Sequence, residues 1–200
     1  MGTAENNRLS FDLSVRVPEW SAARFYYEIA FEDTRSQFLN SLQYDADHLL
    51  GVEIRGLRWG PLRRLFLEVE HTGWVSQEHW LFTTGMTNRG RTLGDAMGPD
   101  GTSVWARADL MVGTLTISPW FEWMRFISDT YDSSGPDGVV VTAKGTIEHR
   151  QRIGADVRAV LSEALWFSLR VFGERIGNAD LIEGNTRFSG GATAAATFRL

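Results

Sequence analysis

The sequence predicts an all-β fold: an antiparallel transmembrane β-barrel, with about ten strands in this chain of 200 residues. Three observations predict it. Apolar residues recur with period two and not with the helical period. The alternating segments run about 9 to 13 residues, longer than an ordinary soluble strand and suited to the roughly 9–11 residues a tilted strand needs to cross a bilayer. One face of each segment is apolar while the other carries charges of both signs, as a wall between lipid and a wet lumen requires.

The elements follow in order. In "RLSFDLSVRV", Leu9, Phe11, Leu13, Val15 and Val17 alternate with Arg8, Ser10, Asp12, Ser14 and Arg16. In "RFYYEIAFE", Phe25, Tyr27, Ile29 and Phe31 alternate with Arg24, Tyr26, Glu28, Ala30 and Glu32. "HLLGVEIRGLRW", "RRLFLEVEH", "HWLFTTGMTN" and "LTISPWFEWMRF" are less regular but also read as strands. "SVWARADLMV" sets Val104, Ala106, Ala108, Leu110 and Val112 against Trp105, Arg107, Asp109 and Met111. "RQRIGADVRAVL" sets Ile153, Ala155, Val157, Ala159 and Leu161 against Arg150, Arg152, Gly154, Asp156 and Arg158. "LWFSLRVFGE" opposes Leu165, Phe167, Leu169 and Val171 to Trp166, Ser168, Arg170 and Glu174, and "RFSGGATAAATFRL" closes the series in the same manner. One helix is expected, over Thr34 to Ala46, from Phe38, Leu42 and Ala46 at helical spacing, with a loop as the alternative. The chain reads as one domain over residues 1–200, either a portion of a larger barrel or a smaller barrel that closes by itself.

Connections in the C-terminal half alternate between tight and long. The turns at Gly113 and at Ser162–Ala164 are tight, while "TNRGRTLGDAMGPDGTS", "SDTYDSSGPDG" and "IGNADLIEGNT" are long. Short periplasmic turns and long extracellular loops are the habit of outer-membrane barrels. That places the loop beginning at Thr87 outside the cell. In the N-terminal half the pattern falls out of phase: "RWGPLR" is tight and residues 33–47 are long where the opposite is expected. Aromatics at the ends of the apolar faces, Trp59, Trp80, Trp120, Trp123, Phe188 and Phe198, suit interfacial girdles.

Composition narrows the function. A net charge of −5 argues against a nucleic-acid face. With no cysteine there is neither a disulfide framework nor a thiolate metal site. No apolar run is long enough for a spanning helix, and "MGTAENNRLSF" lacks the apolar core of a signal peptide. The four histidines, His48, His71, His79 and His149, have no zinc-ligand spacing. The Thr87–Ser103 loop has glycines but no Gly-Lys-Ser/Thr, so it is no phosphate cradle; its aspartates lack the spacing of a calcium loop. A hairpin tip is the plain reading of it.

From "LFLEVEHTG" through "SQEHWLFTTGMTNRGRTLGDAMGPDGTSVWARADL" an ordered series runs His79, Trp80, Gly85, Arg89, Gly90, Arg91, Leu93, Gly94, Gly98, Pro99, Asp100, preceded by the acidic strand end of "RFYYEIAFEDT". With that series the chain resembles the Wzi-type capsule-assembly family, from about Phe25 to Leu200. The resemblance implies an eighteen-stranded outer-membrane barrel that binds capsular or extracellular polysaccharide at the cell surface, without catalysis and without a cofactor. With the barrel reading, membrane lipid and lipopolysaccharide are expected as further partners. This chain is shorter than such a barrel.

Two groups of residues are candidates for glycan contact. Arg89, Arg91, Asp95 and Asp100 lie in the long loop; Trp105, Arg107, Asp109, Arg150, Arg152, Arg158, Trp166 and Arg170 lie on the charged faces. Aromatic faces stack on sugar rings, and guanidinium groups pair bidentately with uronic carboxylates. The alternative is that the charged residues neutralise one another in a structural lattice, as Arg107 with Asp109 and Arg158 with Asp156 and Glu174. Two other classes remain open. A small outer-membrane enzyme would have to assemble His149 with Ser162 or Asp156; a soluble ligand-binding barrel would have to bury Phe11, Val157 and Phe167 inward.

Overall fold

A computed structural model describes residues 8–18, 22–32, 39, 41–74, 87–88, 91–92, 100–135 and 138–198. Among these residues thirteen strands follow one another: β1 Arg8–Val17, β2 Ala23–Glu32, β3 Ala46–Trp59, β4 Leu62–Thr72, β5 Thr87–Asn88, β6 Arg91–Thr92, β7 Gly101–Val112, β8 Leu115–Ile127, β9 Thr130–Gly135, β10 Gly138–Ala143, β11 Ile147–Val160, β12 Leu165–Gly177 and β13 Thr186–Phe198. Nine of them form one antiparallel sheet in the order β1-β2-β3-β4-β7-β8-β11-β12-β13, each strand beside its neighbour along the chain. The sheet does not close among the described residues; β1 and β13 are its edges. No helix among the described residues is long and apolar enough to cross a membrane, which says nothing about strands.

The meander sorts its connections by end. Residues 18–22, 60–61, 113–114 and 161–164 turn the chain at one end, and residues 33–45, 73–100, 128–146 and 178–185 connect strands at the other. Gly60 (φ 57°) and Gly113 (φ 59°) supply the left-handed backbone that the two tightest turns need. The tight and long alternation therefore holds over the whole chain. The apparent N-terminal exception came from counting "HWLFTTGMTN" as a strand of the sheet. The sheet passes directly from β4 to β7; residues 79–86 lie outside the described residues, and Thr87–Asn88 pairs only with Arg91–Thr92 in a separate ribbon. One strand fewer reverses the parity of everything before it.

Two other expectations change. Within the span of the helix expected over Thr34–Ala46, Leu39 is α-helical and Ser41–Asp45 form a π-helical turn, while Ala46 already begins β3; residues 33–38 and 40 lie outside the described residues. The long "SDTYDSSGPDG" connection is the first half of a hairpin, β9 with β10, because "GVVVT" supplies a β-branched second strand.

The two faces are opposite in kind. The register aligns Phe25 with Val52, Val52 with Leu67, Leu67 with Ala106, Ala106 with Phe121, and Phe121 with Ile153 on one face. Large apolar side chains of this face stand uncovered: Phe11 is 58% exposed, Ile153 67% and Phe188 75%. Phe167 is also exposed and Val157 half-exposed, so none of the three residues that a soluble barrel would bury inward is buried. On the other face Glu53, Ser118 and Glu148 are buried. Large rings lie there over small residues. A Cβ at Gly154 would come within 2.4 Å of the Trp120 ring, so glycine is required where the indole crosses β11. Trp120 is thus a buried residue of the charged face and not a girdle residue. Trp59, Phe188 and Phe198 are exposed at strand ends as expected, and Trp80 lies outside the described residues.

An apolar outer face with a hydrogen-bonded inner one suits a solvent that is oily outside and wet inside. Ile153→Arg, in the middle of β11, should then cost roughly 2–4 kcal/mol of folding stability in lipid vesicles. Denaturant titration in vesicles checks it. An unchanged midpoint with higher solubility without detergent would mean that this face meets water.

Candidate functional site: a charged basin on the inner face

The sheet register brings guanidiniums and carboxylates of five strands into one line. Glu53 of β3 accepts from Arg55 at 2.7 Å and pairs with Arg64 of β4. Arg64 also reaches Asp109 of β7 at 3.7 Å. Asp109 accepts from Arg107 at 2.8 Å, and Arg107 crosses β8 to Asp156 of β11 at 3.1 Å. Asp156 then accepts twice from Arg170 of β12, at 2.6 and 3.0 Å. The small, buried Ser118 stands between Asp109 and Asp156 and lets the Arg107 side chain cross its strand. Four guanidiniums meet three carboxylates in this line, so it ends with one positive charge in excess.

Where the line ends, toward the tight turns, the inner face hollows into a basin of about 570 Å³. Arg107, Asp109, Asp156, Arg158 and Arg170 line it, with the hydroxyls of Thr116, Ser118, Ser168 and Thr193. Arg158 differs from its neighbours. It makes no ion pair among the described residues, is exposed, and lies over the Trp166 ring at 5.8 Å. The expected pairing of Arg158 with Asp156 does not form, because Arg107 and Arg170 already occupy that carboxylate. Four predicted residues, Arg107, Asp109, Arg158 and Arg170, share this basin, and Trp166 adjoins it through Arg158. The hydroxyls were not legible from the sequence: only Ser168 shares a strand with Arg170, while Thr116 and Thr193 reach the basin through cross-strand pairing with Arg158 and Arg170.

The other candidates are placed elsewhere. Arg152 sits between Glu122 at 2.7 Å and Glu174 at 3.7 Å, with the Trp120 and Phe172 rings beside it, which is a structural lattice. Arg150 donates to Glu148 at 2.6 Å and covers the Phe126 ring at 4.7 Å. The other carboxylate oxygen of Glu148 accepts the Asp180 N–H at 2.6 Å, so this pair fastens the connection after β12. Trp105 packs edge-on against Phe66 at 4.7 Å. Arg89 and Asp95 lie outside the described residues; Arg91 is in the short β6, its side chain outside them. His149 stands on the outer face near the long connections, while Asp156 is on the inner face and Ser162 is in a tight turn, so the three do not assemble.

Asp100 joins a cluster at the long-connection end. Tyr131 of β9 donates to its carboxylate, and the Tyr131 ring lies 5.1 Å from Trp74 and 6.4 Å from Tyr44. Burial raises the Asp100 carboxyl above its ordinary range, against the Tyr131 hydrogen bond. Asp129 is shifted the other way. The Gly145 N–H, and then Lys144, hold it below the ordinary carboxylate range. Among the described residues, no three acidic or histidine side chains converge as a metal site would require.

Two expectations follow. A raised carboxyl contributes stability below its unfolded pKa and loses it as pH rises, while a lowered one contributes above its unfolded pKa and loses it as pH falls. At neutral pH, Asp100→Asn should therefore raise the melting temperature, since asparagine tolerates the φ of 51° and can still accept from Tyr131. Asp129→Asn should lower it, with the difference from the wild-type protein starting to shrink as pH falls below about 4 and disappearing once the lowered Asp129 carboxyl is itself protonated. Thermal melts of both variants across pH check the opposite signs. Asp156→Ala should cost roughly 1–2 kcal/mol, the value of its charge-assisted bonds after solvent screening, and denaturant titration reads it.

Comparison with known proteins gives one match. No curated protein and no solved structure matches the chain. The family model described as "Capsule assembly protein Wzi" matches residues 3–187, which takes in the sheet from β1 to the start of β13 and most of the basin. On that coverage, together with the all-β meander, the chain belongs to the Wzi capsule-assembly family.

Proposed function

We propose that the chain forms part of the wall of an outer-membrane β-barrel whose inner face engages an acidic capsular or extracellular polysaccharide. The outer face meets lipid and the tight turns face the periplasm. The observation that carries the reading is Arg158: a guanidinium without a carboxylate, set over an aromatic ring, beside a line of ion pairs that already has one positive charge in excess. The neighbouring Asp156 is occupied by two arginines, so it does not quench Arg158.

The chemistry is recognition and not bond-breaking. A uronic carboxylate can take both forks of Arg158, a sugar face can lie against Trp166, and the hydroxyls of Thr116, Ser168 and Thr193 can exchange hydrogen bonds with ring hydroxyls. A volume of about 570 Å³ falls within the usual ~300–1,000 Å³ of ligand clefts. The fixed neighbours Arg107 and Arg170 hold the basin's shape while leaving Arg158 available. Family membership supports the polysaccharide class.

Arg158→Gln should weaken binding of a uronate-bearing polysaccharide about tenfold, the value of one charge-assisted contact of about 1.4 kcal/mol, and leave a neutral glucan unaffected. Calorimetric or biolayer titration of the detergent-refolded protein reads it. Equal binding of the neutral polymer, or an unchanged affinity in the variant, would remove the basin from the mechanism.

A further inference from the structure

The outer face has a charge pattern that lipid contact alone does not require. Along the regular ladders of the nine strands this face carries no carboxylate among the described residues. Its cationic side chains there, Arg125 and Arg175, both stand near the long-connection end, in the same belt as His48, His71 and His149. His149 stacks on Trp123 at 6.2 Å, and His48 on Tyr27 at 6.1 Å. Along these ladders, a face otherwise built mainly of apolar side chains thus turns cationic at the long-connection end.

Beside this belt the outer face also has a groove. Phe121, Ile153, Gly173 and Gly190 stand in one row across β8, β11, β12 and β13. A Cβ at Gly173 would meet nothing within 4 Å, so the floor of the row is open. The exposed side chains of Ile153 and Phe188 rise on either side, and Phe121, Ile153, Gly173 and Phe188 line a furrow of about 410 Å³. Arg175 lines its end toward the belt, is exposed and makes no ion pair among the described residues. Glu174, next in sequence, turns to the inner face, where it meets Arg152 and Ser189. Arg125 lies in the field of Asp100 and Asp129 at the strand ends but forms no ion pair with either among the described residues.

We infer that this furrow and belt hold a phosphate-bearing lipid, its acyl chain between Ile153 and Phe188 over Gly173 and its phosphate on Arg175, with Arg125 as the next cation along the belt. The complementarity is of two kinds at once. The furrow's surface is mostly apolar, with Gln151 beside Arg175 in its lining, and the guanidinium stands where a headgroup would be if the long connections mark a membrane surface. The inference rests on the outer face meeting lipid, and it adds a headgroup chemistry and orientation: the leaflet at the long-connection end is the one that carries phosphate.

The test uses the full chain refolded into phosphatidylcholine vesicles containing a minor fraction of either bisphosphorylated lipid A or the same lipid with its phosphates removed. Lipid retained through detergent extraction is counted by native mass spectrometry. The wild-type protein should retain the phosphorylated lipid several-fold over the dephosphorylated one, and added inorganic phosphate should displace little of it. Arg175→Gln should lose the preference while still inserting; Gly173→Leu, which keeps every charge, should reduce retention of both lipids by filling the furrow. Heat-modifiable gel mobility confirms folding of each variant. Equal retention of the two lipids by an inserted wild-type protein overturns the inference and leaves the membrane reading intact. Displacement by inorganic phosphate alone overturns the acyl-chain part. A wild-type protein that stays soluble without detergent and does not insert overturns both.

Discussion

Asp156 is the point on which the inner face depends. It accepts from Arg107 two strands away on one side and from Arg170 on the other, and so ties β7, β11 and β12 across the flat of the sheet. Each such solvent-reached pair is worth little by itself, on the order of 1 kcal/mol or less. Their effect lies in specification: every guanidinium in the line has its carboxylate only if each strand keeps its register. A slip of one residue along β11 would carry Asp156 and Arg152 to the outer face and Ile153 and Val157 to the inner one. The charge line and the apolar face therefore enforce the same alignment from opposite sides.

That shared alignment also organises the ends. Because all the wide connections leave from one end, that end can build an irregular cluster without disturbing the sheet. Trp74 donates to Asp45, the Gly73 N–H to Asp47, and the Gly101 N–H to Thr72, while Tyr131 comes over from the β9–β10 hairpin to Asp100. Buried backbone and carboxyl groups find partners within the cluster, as irregular structure must where it leaves solvent. The tight-turn end has only Gly60 and Gly113 to provide, and the basin opens just above it. The charged inner face, the cationic outer belt and the connections thus lie on a single axis.

Strand identity and facing were legible where the pattern was strict. β11 and β12 alternate without a break, and each side chain stands where period two puts it. The place of "HWLFTTGMTN" was not legible, because nothing local says which neighbour a segment pairs with; the sheet passes directly from β4 to β7, and residues 79–86 lie outside the described residues. Trp120 misled for a related reason: a tryptophan near the end of an apolar run resembles a girdle residue, but Pro119 and Phe121 hold the outer positions and the indole covers Gly154 instead. The candidate cations were recognisable as a class. Whether a given arginine was spent on a carboxylate or left available was not, since Arg152 and Arg158 differ only in what the adjacent strands place beside them.

By itself the sequence determined the all-β class, the length of the strands, and which side chains share a face, because these follow from the two-residue repeat of an extended chain and from the segregation of charged from apolar side chains along it. Tertiary structure alone decided how many strands share the sheet, which connections gather at which end, and which guanidinium is left unpaired. Those are properties of neighbours, and neighbours are chosen by pairing between segments tens of residues apart: Asp156 meets Arg107 at a separation of 49 residues, and no local pattern encodes that meeting.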